Sequence, residues 1–203
     1  MDSRPPRNRP GVGALAAAMT PPGAMSAPTA AEVQRTALEA AYRQHHAFVW
    51  RSLARLGVGD AALPDASHDV FMVVARRLPE FEGRASIKTW LFAICLRVAR
   101  ATHRDFAREQ KYRARYEAAQ PTLPEQPHAR ADAARTLRDM LQQLDEDKRA
   151  VFIMAELEEM TAPEIAAVLA IKTATVYSRL RLARTELERV VKREAVRARR
   201  EAR

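Results

Sequence analysis

The chain has 203 residues, 47% of them hydrophobic, which is enough for one or two domains with packed cores. Lysine and arginine number 34 against 25 acidic residues, and the formal charge of +9 favours a polyanionic partner, with nucleic acid first and an anionic membrane surface second. The single cysteine, Cys95, excludes an intramolecular disulfide and a multi-cysteine zinc site, and it favours a cytoplasmic location. No window has the long apolar run of a membrane span, so no membrane insertion is expected.

Residues 1–30 predict a disordered leader. They contain six of the twelve prolines and three of the six glycines, a composition that opposes a packed element. Arginines ahead of the Ala- and Gly-rich stretch 11–19 leave a short signal peptide as the weaker alternative.

Three helices are predicted between residues 31 and 117. Apolar residues take helical spacing from Leu38 and stop at Gly57, and a second helix is predicted over residues 65–78. Ser86 is the predicted N-cap of a third, long helix, where Cys95 lies near the buried stripe as a small hydrophobe. Between residues 97 and 115 that helix carries seven basic residues against two acidic ones, so one face should attract anions.

A linker is predicted over residues 118–130, where three prolines accompany Gln, Glu and His. It would join two separable domains, residues 31–117 and residues 131–203. The second domain is also helical and is strongly polarised. Residues 132–164 hold nine acidic and four basic residues, whereas residues 171–203 hold eleven basic and four acidic ones. Its C-terminal helix should therefore face a phosphate backbone.

The segment 160–180 predicts a helix-turn-helix. Thr161 and Glu164 have capping-box spacing, and Pro163 falls in the first turn of a short helix. A turn of three or four residues follows, in which Ala170 stands where glycine would accept a left-handed φ more readily, and Thr173 caps the second helix. The predicted fold class is all-α, with two small helical domains joined by a flexible linker and a helix-turn-helix in the second.

The second helix of this motif could project its polar residues into a major groove. An ordinary helical hairpin with a charged solvent face is the alternative. The candidate groove contacts are Lys172, Thr173, Thr175, Tyr177, Ser178 and Arg179, with Arg181 and Arg184 placed for phosphates.

Three segments resemble motifs of the extracytoplasmic-function sigma factors of the sigma-70 family, in the same order along the chain. They are DASHDVF (65–71), FEGRASIKTWLF (81–92) and TVYSRLRLAR (175–184). The resemblance covers about residues 35–190 and implies sigma region 2 in residues 31–117 and sigma region 4 in residues 131–203. It departs from the family pattern at Ala66, His68, Arg97 and Ala170, which bears on promoter preference.

The resemblance implies that region 2 binds core RNA polymerase and opens and reads the −10 element, while region 4 reads the −35 element. It also implies an anti-sigma factor as a further partner. Trp90 has two interpretations, a core anchor first and a base-stacking residue second. The −10 candidates are Arg84, Ser86, Lys88, Thr89, Trp90, Arg97, Arg100 and Arg104. The polymerase-binding candidates are Asp65, Asp69, Val70, Phe71 and Arg77.

Two other functional classes remain open at this point. One is a stand-alone helix-turn-helix regulator with residues 35–116 as a sensing or dimerisation domain, and the other is a protein-binding helical adaptor without salt-dependent DNA affinity. The five histidines are scattered, and neither a phosphate loop nor a paired catalytic carboxylate motif is found. No enzyme, cofactor or metal site is therefore expected.

Overall fold

The computed structural model describes residues 29–116 and 129–201, and within these ranges it contains helices and turns but no β-strand. The predicted all-α class is confirmed. Residues 1–28 of the predicted leader and residues 117–128, which include most of the predicted linker, lie outside the described residues. The predicted boundaries were wrong by two residues, because Thr29 already caps α1 and α4 already begins at Ala129. The described helices are α1 Ala30–Arg55, α2 Leu63–Arg77, α3 Ile87–Tyr116, α4 Ala129–Gln142, α5 Glu146–Phe152, α6 Ala162–Leu169 and α7 Thr173–Glu201.

Local capping explains where the first helices begin. Thr29 and Glu32 form a capping box ahead of α1. The predicted cap of α3 is confirmed, because the Ser86 hydroxyl accepts a hydrogen bond of 3.0 Å from the backbone N–H of Thr89. Helix α2 begins at Leu63, two residues before its predicted start, because Pro64 fits the first turn of a helix.

Helices α1, α2 and α3 pack into an N-terminal block, residues 30–116. Leu53, Val70 and Phe92 are among the residues that close its core. Cys95 is fully buried there, as predicted, and burial raises the pKa of its thiol far above the usual range. The thiol therefore serves as a small apolar group in the core.

Helices α4 to α7 form a C-terminal block, residues 129–201. Leu141, Val151, Ile165 and Val176 are fully buried or nearly so and join its four helices. Helix α5 continues as a π-helical turn, Ile153–Leu157, which leads the chain toward α6. The apolar stripes predicted for this half of the sequence are thus its core.

The two blocks share an interface in this structure, and one cluster of buried apolar residues runs through both. Arg55 Nη1 lies 2.8 Å from Glu158 Oε1, and Arg138 pairs with Asp60. Burial raises the pKa of Glu158, and the guanidinium of Arg55 opposes that shift. The blocks therefore contact each other in the free chain, and their separability stays a prediction.

Arg149 also connects the blocks. Its guanidinium donates hydrogen bonds to the carbonyl oxygens of Leu141 at 3.0 Å, Leu144 at 2.9 Å and, across the interface, Leu56 at 3.0 Å. These carbonyls lie at or just beyond the C-terminal ends of α4 and α1, where a helix leaves acceptors without intrahelical donors. Burial lowers the pKa of Arg149, and Glu146 and Asp145 oppose that shift.

Candidate nucleic-acid interface

Helices α6 and α7 form the predicted helix-turn-helix. The Thr161 hydroxyl and backbone N–H both donate to Glu164 Oε2, at 2.7 and 2.8 Å, which confirms the capping box. These bonds lower the pKa of Glu164. Pro163 lies in the first turn of α6, where backbone N–H groups have no intrahelical acceptor, so proline loses no hydrogen bond there.

Three residues, 170–172, make the turn between the two helices. Ala170 takes the left-handed conformation that the sequence predicted, with φ 53° and ψ 44°. The N–H of Ile171 donates to the Ala166 carbonyl at 3.0 Å and that of Ala170 to Ala167, which is the Schellman pattern. A residue with a Cβ is strained at such a position.

Replacing Ala170 with glycine is expected to raise the free energy of unfolding by about 1 kcal/mol, because glycine adopts this φ without steric cost. Thermal unfolding followed by circular dichroism measures the change. Ala167→Gly is the matched control, since it places glycine inside α6 and should lower stability by about 1 kcal/mol. Equal destabilisation by both variants would contradict the strain at Ala170.

Helix α7 begins one residue earlier than predicted. The Lys172 carbonyl accepts the first hydrogen bonds, from Thr175 N at 2.8 Å and Val176 N at 3.2 Å. Thr173 is therefore the first helical residue, and its prediction as the cap was wrong by one position. Lys172 occupies the cap position, because its carbonyl accepts the first intrahelical hydrogen bonds of α7.

One side of α7 packs on the domain and the opposite side faces solvent. Val176 and Ala183 are fully buried, and Leu180, Leu187 and Val190 complete the predicted stripe. Among the groove candidates, Lys172, Tyr177, Ser178 and Arg181 are exposed, whereas Thr173, Thr175 and Arg179 are half-buried.

Two of the arginines of α7 are held by acidic residues of their own block. Arg179 Nη2 lies 2.6 Å from Asp147 Oδ2, and Arg184 Nε donates to Glu156 Oε1 at 2.9 Å. The net negative charge of residues 132–164 does not by itself identify either acidic partner. Asp147 belongs to the acidic first turn of α5, which is a local sequence signal, whereas Glu156 lies in the π-helical turn that follows.

The loop before α3 and the start of α3 carry the first group of −10 candidates. Arg84, Ser86 and Lys88 are exposed. Thr89 is buried, and its hydroxyl lies 2.9 Å from that of Ser86, so this −10 candidate does not face solvent in this conformation. Trp90 is half-buried with its ring centroid 5.1 Å from that of Phe81, and part of its surface stays open.

A basic stripe runs along α3. Arg97, Arg100 and Arg104 recur at three- and four-residue spacing and therefore share one side of the helix. Arg97 and Arg104 are exposed. Arg100 is half-buried, because Glu146 and Asp147 of the C-terminal block pair with it at 2.6 and 3.0 Å.

The polymerase-binding candidates of α2 divide between its surface and its core. Asp65, Asp69 and Arg77 are exposed, whereas Val70 is fully buried and holds the helix in place. Direct contact of Val70 with a partner is therefore excluded in this conformation. Phe71 is also largely buried, with its ring 4.7 Å from that of Tyr42.

In the described parts of the chain, no cluster of three His, Cys, Asp or Glu side chains could hold a metal ion. No described helix is both long and apolar enough to cross a membrane.

Comparison with known proteins finds relatives of one kind. The family model "Sigma-70, region 4" matches residues 134–187, which include the helix-turn-helix. The RNA polymerase sigma factor YlaC of Bacillus subtilis (strain 168) is 29% identical over 162 residues, covering 76% of this chain and 92% of YlaC. The ECF RNA polymerase sigma factor SigC of Mycobacterium tuberculosis (strain CDC 1551 / Oshkosh) is 29% identical over 161 residues, covering 78% of this chain and 85% of SigC. The chain is thus similar to extracytoplasmic-function sigma factors over about three quarters of its length, and its helix-turn-helix lies in a sigma-70 region 4 match.

The fold of the chain also matches solved structures. RpoE, in its complex with the anti-sigma factor NepR from Bartonella quintana, superposes with a TM-score of 0.62 at 20% identity, covering 77% of this chain and 98% of RpoE. CnrH, in complex with the cytosolic domain of CnrY, gives a TM-score of 0.59 at 21% identity, covering 78% of this chain and 89% of CnrH. Both matches extend across the two helical blocks of the chain.

Proposed function

We propose that this chain is an extracytoplasmic-function sigma factor. It directs core RNA polymerase to promoters by reading the −35 element with α7 and the −10 element with α3 and the loop before it. The polymerase supplies all the chemistry, in the cytoplasm, and the chain itself catalyses no reaction. An anti-sigma factor is the proposed regulatory partner.

The proposed role at the −35 element is supported by the solvent-facing side of α7. Lys172, Tyr177, Ser178 and Arg181 are exposed at the N-terminal end of the second helix of the motif, opposite the buried stripe. This is the end of a recognition helix that reaches base edges in a major groove. Ammonium, hydroxyl and guanidinium groups supply the donors that guanine, adenine and phosphate oxygens accept.

The N-terminal block offers the chemistry for a single strand. Trp90 stands beside Arg84 at an open cavity of about 280 Å³, where an aromatic ring could stack with an unpaired base. Arg97 and Arg104 continue along α3 and could follow the phosphates of that strand. Thr89 supports this surface from within, through its hydrogen bond to Ser86.

The polymerase contact is assigned to the exposed side of α2. Asp65, Asp69 and Arg77 are its charged groups. Next to them, Tyr42, Phe71 and Met72 line an apolar groove of about 350 Å³ between α1 and α2. An apolar groove bordered by charges is a typical protein-binding surface.

Run-off transcription tests the proposed function. Purified chain plus core polymerase is expected to produce transcripts from promoters that core polymerase alone does not use, and Lys172→Ala should reduce that promoter selectivity. The promoters can be selected from genomic fragments by the reconstituted holoenzyme. No transcript from any fragment, together with tight operator binding by the chain alone, would contradict the proposal.

A further inference from the structure

The first turn of α5 carries two adjacent carboxylates that contact arginines of both blocks. Glu146 Oε1 lies 2.6 Å from Arg100 Nε, and Asp147 Oδ1 lies 3.0 Å from Arg100 Nη2. The second oxygen of Asp147 lies 2.6 Å from Arg179 Nη2. Asp147 therefore holds, at the same time, one candidate for the −10 strand and one candidate for the −35 duplex.

The C-terminal block also covers the side of α3 beside this ion-pair cluster. A cleft of about 460 Å³ separates α3 from α6, with Trp90 and Ala93 on one wall and Ala167 and Val168 on the other. A nucleic-acid strand that followed α3 from Trp90 to Arg100 would meet α6 and then the two carboxylates. It could reach Arg100 only if the blocks moved apart.

We propose that Glu146 and Asp147 are an internal competitor of promoter DNA, which holds the free chain closed by occupying Arg100 and Arg179. This inference rests on the proposed function, since it assumes that these arginines bind DNA. A carboxylate presents two anionic oxygens to a guanidinium much as a phosphate does, so one arginine group cannot fully satisfy both. The DNA phosphates and bases must replace the two carboxylates.

The exposure of these groups suits a reversible contact. Side-chain exposure is 36% for Arg100, 46% for Asp147 and 27% for Arg179. Ion pairs at this exposure are screened by water and salt and contribute little individually. They can bias the chain toward the closed form without preventing DNA from displacing them.

Two substitutions separate the roles of the carboxylates. Asp147→Asn removes the charge that pairs with both Arg100 and Arg179, whereas Glu146→Gln removes a charge that pairs with Arg100 and not with Arg179. Asp139→Asn is the matched control, because it removes an exposed charge from α4 of the same block. Each full-length variant is titrated with a −35 duplex and with a longer probe whose −35 duplex continues into a single-stranded −10 element, both selected with the wild-type holoenzyme.

Asp147→Asn is expected to bind both probes about threefold to tenfold more tightly than Asp139→Asn does. Glu146→Gln should tighten binding of the longer probe only. A DNA-free readout uses Trp90, which becomes the single tryptophan in a Trp50→Phe background. Release of α6 from α3 should increase acrylamide quenching of Trp90 in the Asp147→Asn chain and leave it unchanged in the Asp139→Asn chain.

The outcomes distinguish this inference from the proposed function. If all three variants match in affinity and quenching while still preferring the selected probes to scrambled ones, the internal competitor is wrong and the proposed function stands. If the wild-type chain with core polymerase selects no promoter, the proposed function fails, and Trp90 quenching alone then decides whether the carboxylates hold the blocks together.

Discussion

Replacing Lys172 with alanine is expected to weaken binding to the selected −35 duplex by about 1–3 kcal/mol, or roughly 5- to 150-fold. Lys172 is exposed at the start of α7, and its backbone carbonyl begins the helix, so the side chain projects from the end that would enter the groove. Alanine keeps the backbone and removes only the ammonium. Fluorescence anisotropy with the selected duplex and a scrambled duplex measures the affinity and the specificity ratio.

Arg184→Ala is the matched control, because it removes a basic side chain of the same helix that was predicted to contact phosphates. It should weaken binding to the selected and scrambled duplexes alike, and it should reduce the salt dependence of binding. Arg179→Ala should behave like Lys172→Ala, although Asp147 must first release the guanidinium. Equal losses on both duplexes for Lys172→Ala would show that this residue contacts phosphate and carries no base specificity.

Replacing Arg149 with methionine is expected to lower the free energy of unfolding by about 3 kcal/mol. The apolar side chain fills a similar volume but leaves the carbonyl oxygens of Leu141, Leu144 and Leu56 without their guanidinium donor. Hydrogen bonds to a charged group contribute more than neutral ones, and a buried carbonyl without a partner is costly. Urea unfolding followed by circular dichroism measures the loss.

The control for Arg149→Met is Arg138→Met. Arg138 also connects the two blocks, through its ion pair with Asp60, whose side chain is largely exposed. Such a pair contributes about 0–1 kcal/mol. Loss of stability by the same small amount in both variants would show that the three carbonyl contacts of Arg149 do not stabilise the fold.

Local sequence signals predicted the helix-turn-helix correctly for physical reasons that act within a few residues. The Thr161–Glu164 box, Pro163 and the left-handed Ala170 each depend on backbone geometry within one turn of helix. The buried stripe of α7 follows from helical periodicity alone. The motif and its exposed polar side were therefore readable before any tertiary contact was known.

Side-chain burial was less predictable where it depends on neighbours. Thr89 directly follows the exposed Lys88, yet α3 turns it inward, where its hydroxyl pairs with that of Ser86. Val70 was placed at a binding surface by its position in a motif, although its branched side chain packs in the core of the N-terminal block. A motif identifies a segment, whereas packing decides which side of it meets a partner.

The sequence by itself determined the all-α class, the caps of α3 and α6 and the helix-turn-helix, because these depend on composition, on helical periodicity and on contacts a few residues apart. Only the tertiary structure decided which charges meet. Arg100 and Glu146 are 46 positions apart, and Arg149 and Leu56 are 93 apart, so no local pattern could pair them. The contact between the blocks, and with it the position of Asp147 between Arg100 and Arg179, follows from the packing of α5 and α6 against the N-terminal block.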